Sequence, residues 1–402
     1  MRRHKIRLTR KKGEVMIIHT IKPGENLYGI ARKYSVPATK IWGDNDLWGD
    51  RITVGDELLV LIPTRTETVR AKDTLEGFSK RFGVRKEALL MANPALMGRD
   101  RLRPGQVITI KHDQPTMGIG STLGFISKGC SRERLRRALP YTTYLVTCAS
   151  VIDNDGIKNT FDGRWVKELY SSERKIHLLG IDDTTNGEFL RSKSFLEKVI
   201  DGMISRARNG GYNGICINAR SAAHRYGEEF CEFILSARKR FIGCDLLLFT
   251  EIYDTTPKDA SELSDGAILH LADRAIDETR LKLNEFSNAA ESSKVFVNIT
   301  SKAKVGNHTV SLGEAKELCY RSGLSLKTDN DTLISSFTYT RYKTGEGERL
   351  RVEIPSLEYT KAKLEHLCEL GFIGISFDAD TVGAATLAMF SSMFARADYS
   401  VP

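Results

Sequence analysis

The sequence predicts a multidomain chain: two small α+β modules of βααβ order, then an α/β barrel of the (β/α)8 type that carries an α+β insertion. Three observations predict it. Residues 17–63 recur as residues 66–110. Beyond residue 120 strand-like and helix-like segments alternate for roughly 280 residues, close to the ~250 of such barrels. The composition, 41% apolar and 28% charged, is that of an ordinary globular chain, and 402 residues at ~150 per domain call for two to three domains.

The repeat sets the boundaries of the first part. At an offset of 48, Leu27 falls on Leu75, Ile30 on Phe78, Tyr34 on Phe82 and Val36 on Val84, while Gly55 falls on Gly105 at 50. Each copy opens on a short alternating strand (17–21; 67–70), turns into an amphipathic helix and a second helical stretch, and closes on a strand after a turn (54–60; 103–110). The modules are therefore expected at 16–63 and 64–111. Residues 112–120, with Pro115, Met117, Gly118 and Gly120, read as a linker.

From 121 to 402 the expected barrel strands are 121–126, 141–150, 176–182, 214–218, 244–249, 266–272, 295–300 and 374–377. Several are continuous apolar runs, as strands buried on both faces should be. Helices are expected at 195–209, 228–240, 276–290, 359–371 and 384–394. The interval between the last two strands is too long for one helix, and 333–342 with 349–355 read as a hairpin. An α+β insertion is expected at about 303–355, walling one side of a cleft.

Charge and cysteine content exclude several classes. No run approaches the ~20 apolar residues of a membrane span, and no apolar segment follows the positive N-terminus as a secretory signal requires. Seven cysteines without a Cys-x-x-Cys pair suggest free thiols in a reducing compartment. The net charge of +9 is concentrated in residues 1–15, where Arg2, Arg3, Lys5, Arg7, Arg10, Lys11 and Lys12 face Glu14 alone; without them about +3 remains. That arm reads as a disordered tail or an upstream start, or as a grip for polyanions. The body has no basic stripe with interleaved aromatics, which argues against a nucleic-acid partner. No motif calls for a metal or cofactor.

Reactive groups of such barrels sit at the C-terminal ends of the strands, which makes residues 211–220 the informative segment. A side-chain period of two turns Ile215, Ile217 and Ala219 toward the helices, and Gly214, Cys216, Asn218 and Arg220 toward the axis. Asp182, Asp183, Glu251, Asp273 and Asp378 lie near other strand ends. One or two of them are expected to pair with Arg220, whose buried charge would be costly alone. Cys216 has no visible His partner and reads as packing, and His270 as a hydrogen-bonded core residue.

Two resemblances follow from these residues. Lys22-Pro23-Gly24-Glu25-Asn26-Leu27-Tyr28-Gly29-Ile30-Ala31 with Val54-Gly55-Asp56-Glu57-Leu58 resembles a LysM domain, and Ala71-Lys72-Asp73-Thr74-Leu75 with Asn93-Pro94 and Arg103-Pro104-Gly105-Gln106 resembles a second. That resemblance implies binding of N-acetylglucosamine-containing glycan, peptidoglycan or chitin, between two loops of each copy. It points to Pro23, Gly24, Glu25, Asn26 and Leu27 with Asp50, Arg51, Ile52 and Thr53, and to Asp73, Thr74 and Leu75 with Arg101, Leu102 and Arg103. Copy one departs from the family at Glu25 and Asn26, and copy two lacks the Pro-Gly turn. Trp42 and Trp48 are candidates for stacking on sugar or for the core.

The barrel resembles the family-18 glycoside hydrolases, in the branch where tandem LysM units precede the barrel among spore cortex-lytic and germination proteins. The family's strand four runs Asp-Gly-x-x-x-Asp-x-Glu, with the last carboxylate as general acid. Here Asn213, Asn218 and Arg220 stand at those positions. The sixth strand keeps only Asp273 of the usual Met-x-Tyr-Asp, and Phe377 is at best a partial substitute for the Trp that floors the sugar subsite.

A glycosidic bond breaks when a carboxylic acid protonates the leaving oxygen while positive charge builds on the sugar ring. Arginine cannot supply that proton. At ~5 Å and an effective dielectric of ~20 its charge would also oppose the transition state by roughly 3 kcal/mol, about a hundredfold in rate. The expected protein is thus a wall-glycan binder with a catalytically inactive, glycosidase-like barrel, where Arg220 could hold a carboxylate of the glycan. Made in the cytoplasm without a signal, it would be laid on the spore envelope, coat or cortex, beside spore-coat proteins; a cell-wall location is the alternative. The rival reading is a cortex-fragment N-acetylglucosaminidase using a relocated carboxylate.

Overall fold

The computed structural model describes residues 16–396 apart from 48–50, 97–101, 113–116, 171–174, 254–255, 258, 273–274, 300–301 and 344–345. The arm 1–15, Trp48, Asp50, Arg101 and Asp273 lie outside the described residues.

Each repeat folds as a two-stranded antiparallel sheet covered by two helices. The first pairs Met16–Thr20 with Glu57–Leu61 around helices Leu27–Tyr34 and Ala38–Asp44. The second pairs Arg65–Thr68 with Val107–Lys111 around Leu75–Phe82 and Lys86–Ala92. Short polar side chains start the first helix of each copy: Asn26 accepts from the Gly29 amide at 2.8 Å and Thr74 from the Gly77 amide at 3.0 Å. The second helix is tied to the last strand by an asparagine clasp that also repeats. Asn45 brackets both backbone groups of Leu59, and Asn93 does the same to Thr109.

The last strands differ in what lies behind them. All five residues of Glu57–Leu61 are buried. Leu58, Val60 and Ile62 fill the module's own core, while Leu59 and Leu61 join the layer between the barrel and its helices. Removing each of those two leucines from water contributes about 1.5–3 kcal/mol. In the second module Val107 remains 41% exposed. The first module also caps two barrel helices. Glu57 accepts from the amides of Leu357 and Glu358 at 2.6 and 3.2 Å, and Asp46 from that of Ala384 at 3.0 Å.

Eight parallel strands close the barrel: Gly118–Ile126, Tyr144–Asp153, Ile176–Asp183, Gly214–Asn218, Leu247–Tyr253, Gly266–His270, Val295–Asn298 and Gly374–Asp378. Strand one pairs with both strand eight and strand two, which completes the ring. Leu123, Phe125, Tyr144, Val146, Leu178, Cys216, Phe249, Ile268 and Phe296 pack inside it. The outer layer is sealed by helices that include Lys193–Gly210, Gly227–Ile242, Ile276–Ser287, Leu357–Glu369 and Ala384–Met393. Among the described residues no helix is long and apolar enough to cross a membrane.

Most strand ends differ from the sequence reading by one to four residues, strand one for instance starting at Gly118 within the expected linker, and two of the differences have a clear cause or consequence. Strand two starts at Tyr144 because Leu139–Tyr141, with Pro140, forms a 3-10 turn. Strand five runs to Tyr253 rather than stopping at 249, and the extension carries the polar inward residues Glu251 and Tyr253, which bond each other. Between strands seven and eight, residues 302–355 form a five-stranded antiparallel sheet with helix Leu312–Arg321 and a core of its own. Its central hairpin joins Ile334–Lys343 to Glu346–Pro355.

His177 on strand three gives the barrel an acid limit. Its ring bonds the Thr147 and Tyr170 hydroxyls at 2.7 and 2.5 Å, and burial pushes its pKa down to about 3. Below pH 6.5 the unfolded chain takes up a proton that the folded one refuses, so stability falls with falling pH until the folded pKa is passed. His177→Gln should flatten that slope between pH 6.5 and about 3, measured as urea midpoints against wild type. An unchanged slope would mean that another group sets it.

Candidate functional site

The residues singled out in the modules divide into turn-formers, core and exposed loop. Pro23 and Gly24 form an exposed turn. Glu25 closes it, accepting from the Lys22 amide at 2.8 Å and lying 2.9 Å from His19 Nε2; the Lys22 bond leads in holding its carboxyl below the ordinary range. Asp73 plays the same part, accepting from the Arg70 amide at 2.7 Å. Asn26 and Thr74 are spent on helix caps. Leu27, Leu75 and Thr53 depart from the expectation of ligand contact, being 4%, 7% and 8% exposed. The helix-start leucines pack in the module cores, as do the half-buried Ile52, Leu102 and Trp42. Arg51 and Arg103 are exposed.

The barrel mouth is built by the strand ends, where inward alternation continues above the apolar interior. Asp182 on strand three is level with Asn218 on strand four and accepts a hydrogen bond from it. The Tyr253 hydroxyl lies 3.2 Å from both Asn218 Oδ1 and Glu251 Oε2, and can donate to one at a time. Glu251 Oε2 is 2.8 Å from His270 Nε2, a close polar contact without the alignment of a directed hydrogen bond. The Tyr253 and His270 rings stack, centroids 4.8 Å apart. On strand eight, Asp378 faces the same space. Burial raises the carboxyls of Asp182 and Asp378, with Glu251's negative charge adding to both and Lys302 opposing the shift at Asp378.

Arg220 departs from its expected place. Strand four ends at Asn218, and Ala219, at φ −131° and ψ 51°, breaks the extended alternation, so Arg220 opens a short helix, Arg220–Arg225, instead of pointing down the axis. It is exposed at the rim, its guanidinium carbon 4.6 Å from the Tyr253 ring centroid. Among the described residues no carboxylate pairs with it. Solvent meets the charge, which removes the need for a partner and weakens the expected repulsion.

Three other residues leave the mouth. Asn213 clasps strand three, its Oδ1 accepting from the His177 amide at 2.8 Å. Asp183 is bound into a turn by Thr185 and the Gly187 amide. Phe377 packs among the helices, because Ser376 and Asp378 take the inward positions of strand eight. Cys216 is fully enclosed and burial holds its thiol well up, unsuited to attack as a thiolate. Tyr253 was not singled out from the sequence; its two-residue spacing from Glu251 was the available signal.

A (β/α)8 barrel behind tandem LysM units is the class that this fold and these motifs define. Residues 19–60 and 68–111 match the LysM domain. Among solved structures, the spore cortex-lytic enzyme SleL of Bacillus megaterium QM B1551 superposes with a TM-score of 0.73 at 19% identity, over 96% of this chain and 99% of that one. A chitinase from Chromobacterium violaceum ATCC 12472 superposes at 0.61 and 13% identity, over 68% of this chain and 98% of its own. These likenesses establish the fold. YdhD of Bacillus subtilis (strain 168), named as a sporulation-specific glycosylase, is 26% identical over 239 residues, 56% of this chain and 55% of YdhD. The chain thus spans about half the length of that curated relative.

Proposed function

We propose that this protein binds N-acetylglucosamine-containing wall glycan through its LysM units, and that its barrel is a scaffold or second cleft that lacks the ordinary family-18 acid mechanism. The observation that carries the reading is the pair of LysM matches, residues 19–60 and 68–111, each covering both helices and most or all of the last strand of its module. The second half is supported by strand four and the helix after it, where Asn218 and Arg220 stand in place of carboxylates and Arg220 lies exposed at the rim. Relatives named for spore cortex lysis and sporulation favour peptidoglycan of the spore envelope as the glycan, with the protein placed there during sporulation.

Purified full-length chain should be retained on insoluble peptidoglycan, with chitin alongside, and released by soluble oligomers of N-acetylglucosamine. Failure on both matrices removes the anchoring role. The carboxyls of Asp182, Glu251 and Asp378 in the mouth favour one rival, hydrolysis by a displaced acid, and turnover rather than retention distinguishes it.

A further inference from the structure

The two modules, alike in fold, offer different surfaces. In the first, the loop before the last strand lies against the subdomain inserted in the barrel. The Leu326 amide donates to the Val54 carbonyl at 2.9 Å. Lys316 Nζ is 2.9 Å from Asp56, Arg51 is 3.3 Å from Glu317, and the Arg51 guanidinium carbon sits 5.4 Å from the Tyr320 ring centroid.

The repeat supplies its own control. Gly55 and Gly105 are equivalent and share a left-handed backbone, φ +82° and +84°. A Cβ at Gly55 would fall 1.9 Å from the Leu326 carbonyl oxygen, whereas one at Gly105 would meet nothing within 4 Å. Thr53 is buried and Val54 to Asp56 half-buried; Arg103, Pro104 and Gly105 are exposed. Behind the loops the asymmetry continues, since Leu59 and Leu61 are seated on the barrel.

We infer that the modules divide the work: the first is a clamp that holds the inserted subdomain against the barrel, and the second alone takes glycan, preferring strands that bear carboxylates. This rests on the LysM glycan reading. A sugar laid between the two loops of the first module would have to displace the backbone of Leu326 and both ion pairs, leaving the Val54 carbonyl to find a new partner. Among the described residues the second module's loops are open, and the exposed Arg70, Lys72 and Arg103 stand around them. None of the three pairs with a carboxylate of a described residue, and Asp73, next to Lys72 in sequence, is committed to the Arg70 amide. Such a rim favours a polymer carrying lactyl or peptide carboxylates over a neutral one.

Hydrogen–deuterium exchange of the full chain tests this, with soluble muropeptide oligomers in one arm and the neutral hexamer of N-acetylglucosamine in the other. Slowed exchange is expected at 70–75 and 102–106 and not at 22–27 and 51–56, at several-fold lower concentration of muropeptide than of hexamer. Arg103→Glu, an exposed charge reversal, should weaken the muropeptide effect about tenfold with an unchanged melting temperature. Protection at 22–27 and 51–56 overturns the division of work. Equal response to both ligands, or an indifferent Arg103→Glu, overturns the charge preference. No protection by either ligand withdraws the glycan reading itself.

Discussion

Asp44→Ala should destabilise the N-terminal half by about 3–5 kcal/mol, because it strands a cation that has nowhere to go. Lys40 and Asp44 are one helical turn apart, 7% and 0% exposed. Lys40 Nζ lies 2.8 and 3.1 Å from the two carboxylate oxygens and donates a third bond, 3.0 Å, to the Ala92 carbonyl at the end of a second-module helix. The pair thus ties one module to the other. Burial raises the Asp44 carboxyl and the Lys40 charge pulls it back down. With the carboxylate gone, the ammonium must break its remaining bond or lose its proton. The double variant Lys40→Met/Asp44→Leu should return to within ~2 kcal/mol of wild type, since two matched apolar side chains do not have the desolvation problem. Urea unfolding followed by the fluorescence of the first-module tryptophans checks both. A single variant costing less than ~1 kcal/mol would show that water reaches Lys40.

Release of reducing ends from cortical muropeptides should be slower than that of an enzyme bearing a strand-four acid by about 10²–10⁴, the usual contribution of a positioned general acid. The deficit comes chiefly from the missing proton donor, because Arg220 is exposed to solvent at the rim over Tyr253, where its charge is screened. The raised carboxyls of Asp182 and Asp378 set the form that contrary activity would take. An acid with an elevated pKa is protonated, and competent to donate, up to a higher pH than a free carboxyl, and its activity falls as pH rises through that pKa. Asp182→Asn, Glu251→Gln and Asp378→Asn should leave a negligible rate unaltered. A measurable rate that disappears in one of them, with that pH profile, would assign the acid to that residue and defeat the inert reading.

Much of the mouth could be read in advance where strand alternation holds. Cys216 lies inside the barrel and Ile215 and Ile217 outside it, as a period of two requires. The reading failed one residue beyond the strand, because Ala219 leaves the extended conformation and Arg220 is then governed by a helix. It failed at Phe377 for the opposite reason: the strand continues, and its parity turns the ring outward. Asp183 and Asn213 were plausible by position, yet local backbone groups claim both side chains.

From the amino-acid order alone came the repeat and the alternating strands of the barrel, since these rest on periodicity and on interactions within a few residues. The tertiary structure decided which of two nearly equivalent modules stays open. Glu57–Leu61 reads as one more apolar strand, and nothing local says that Leu59 and Leu61 meet a barrel or that Leu326, some 270 residues further on, bonds to Val54. Such contacts depend on how whole units pack, and sequence periodicity carries no record of what a buried second face is buried against.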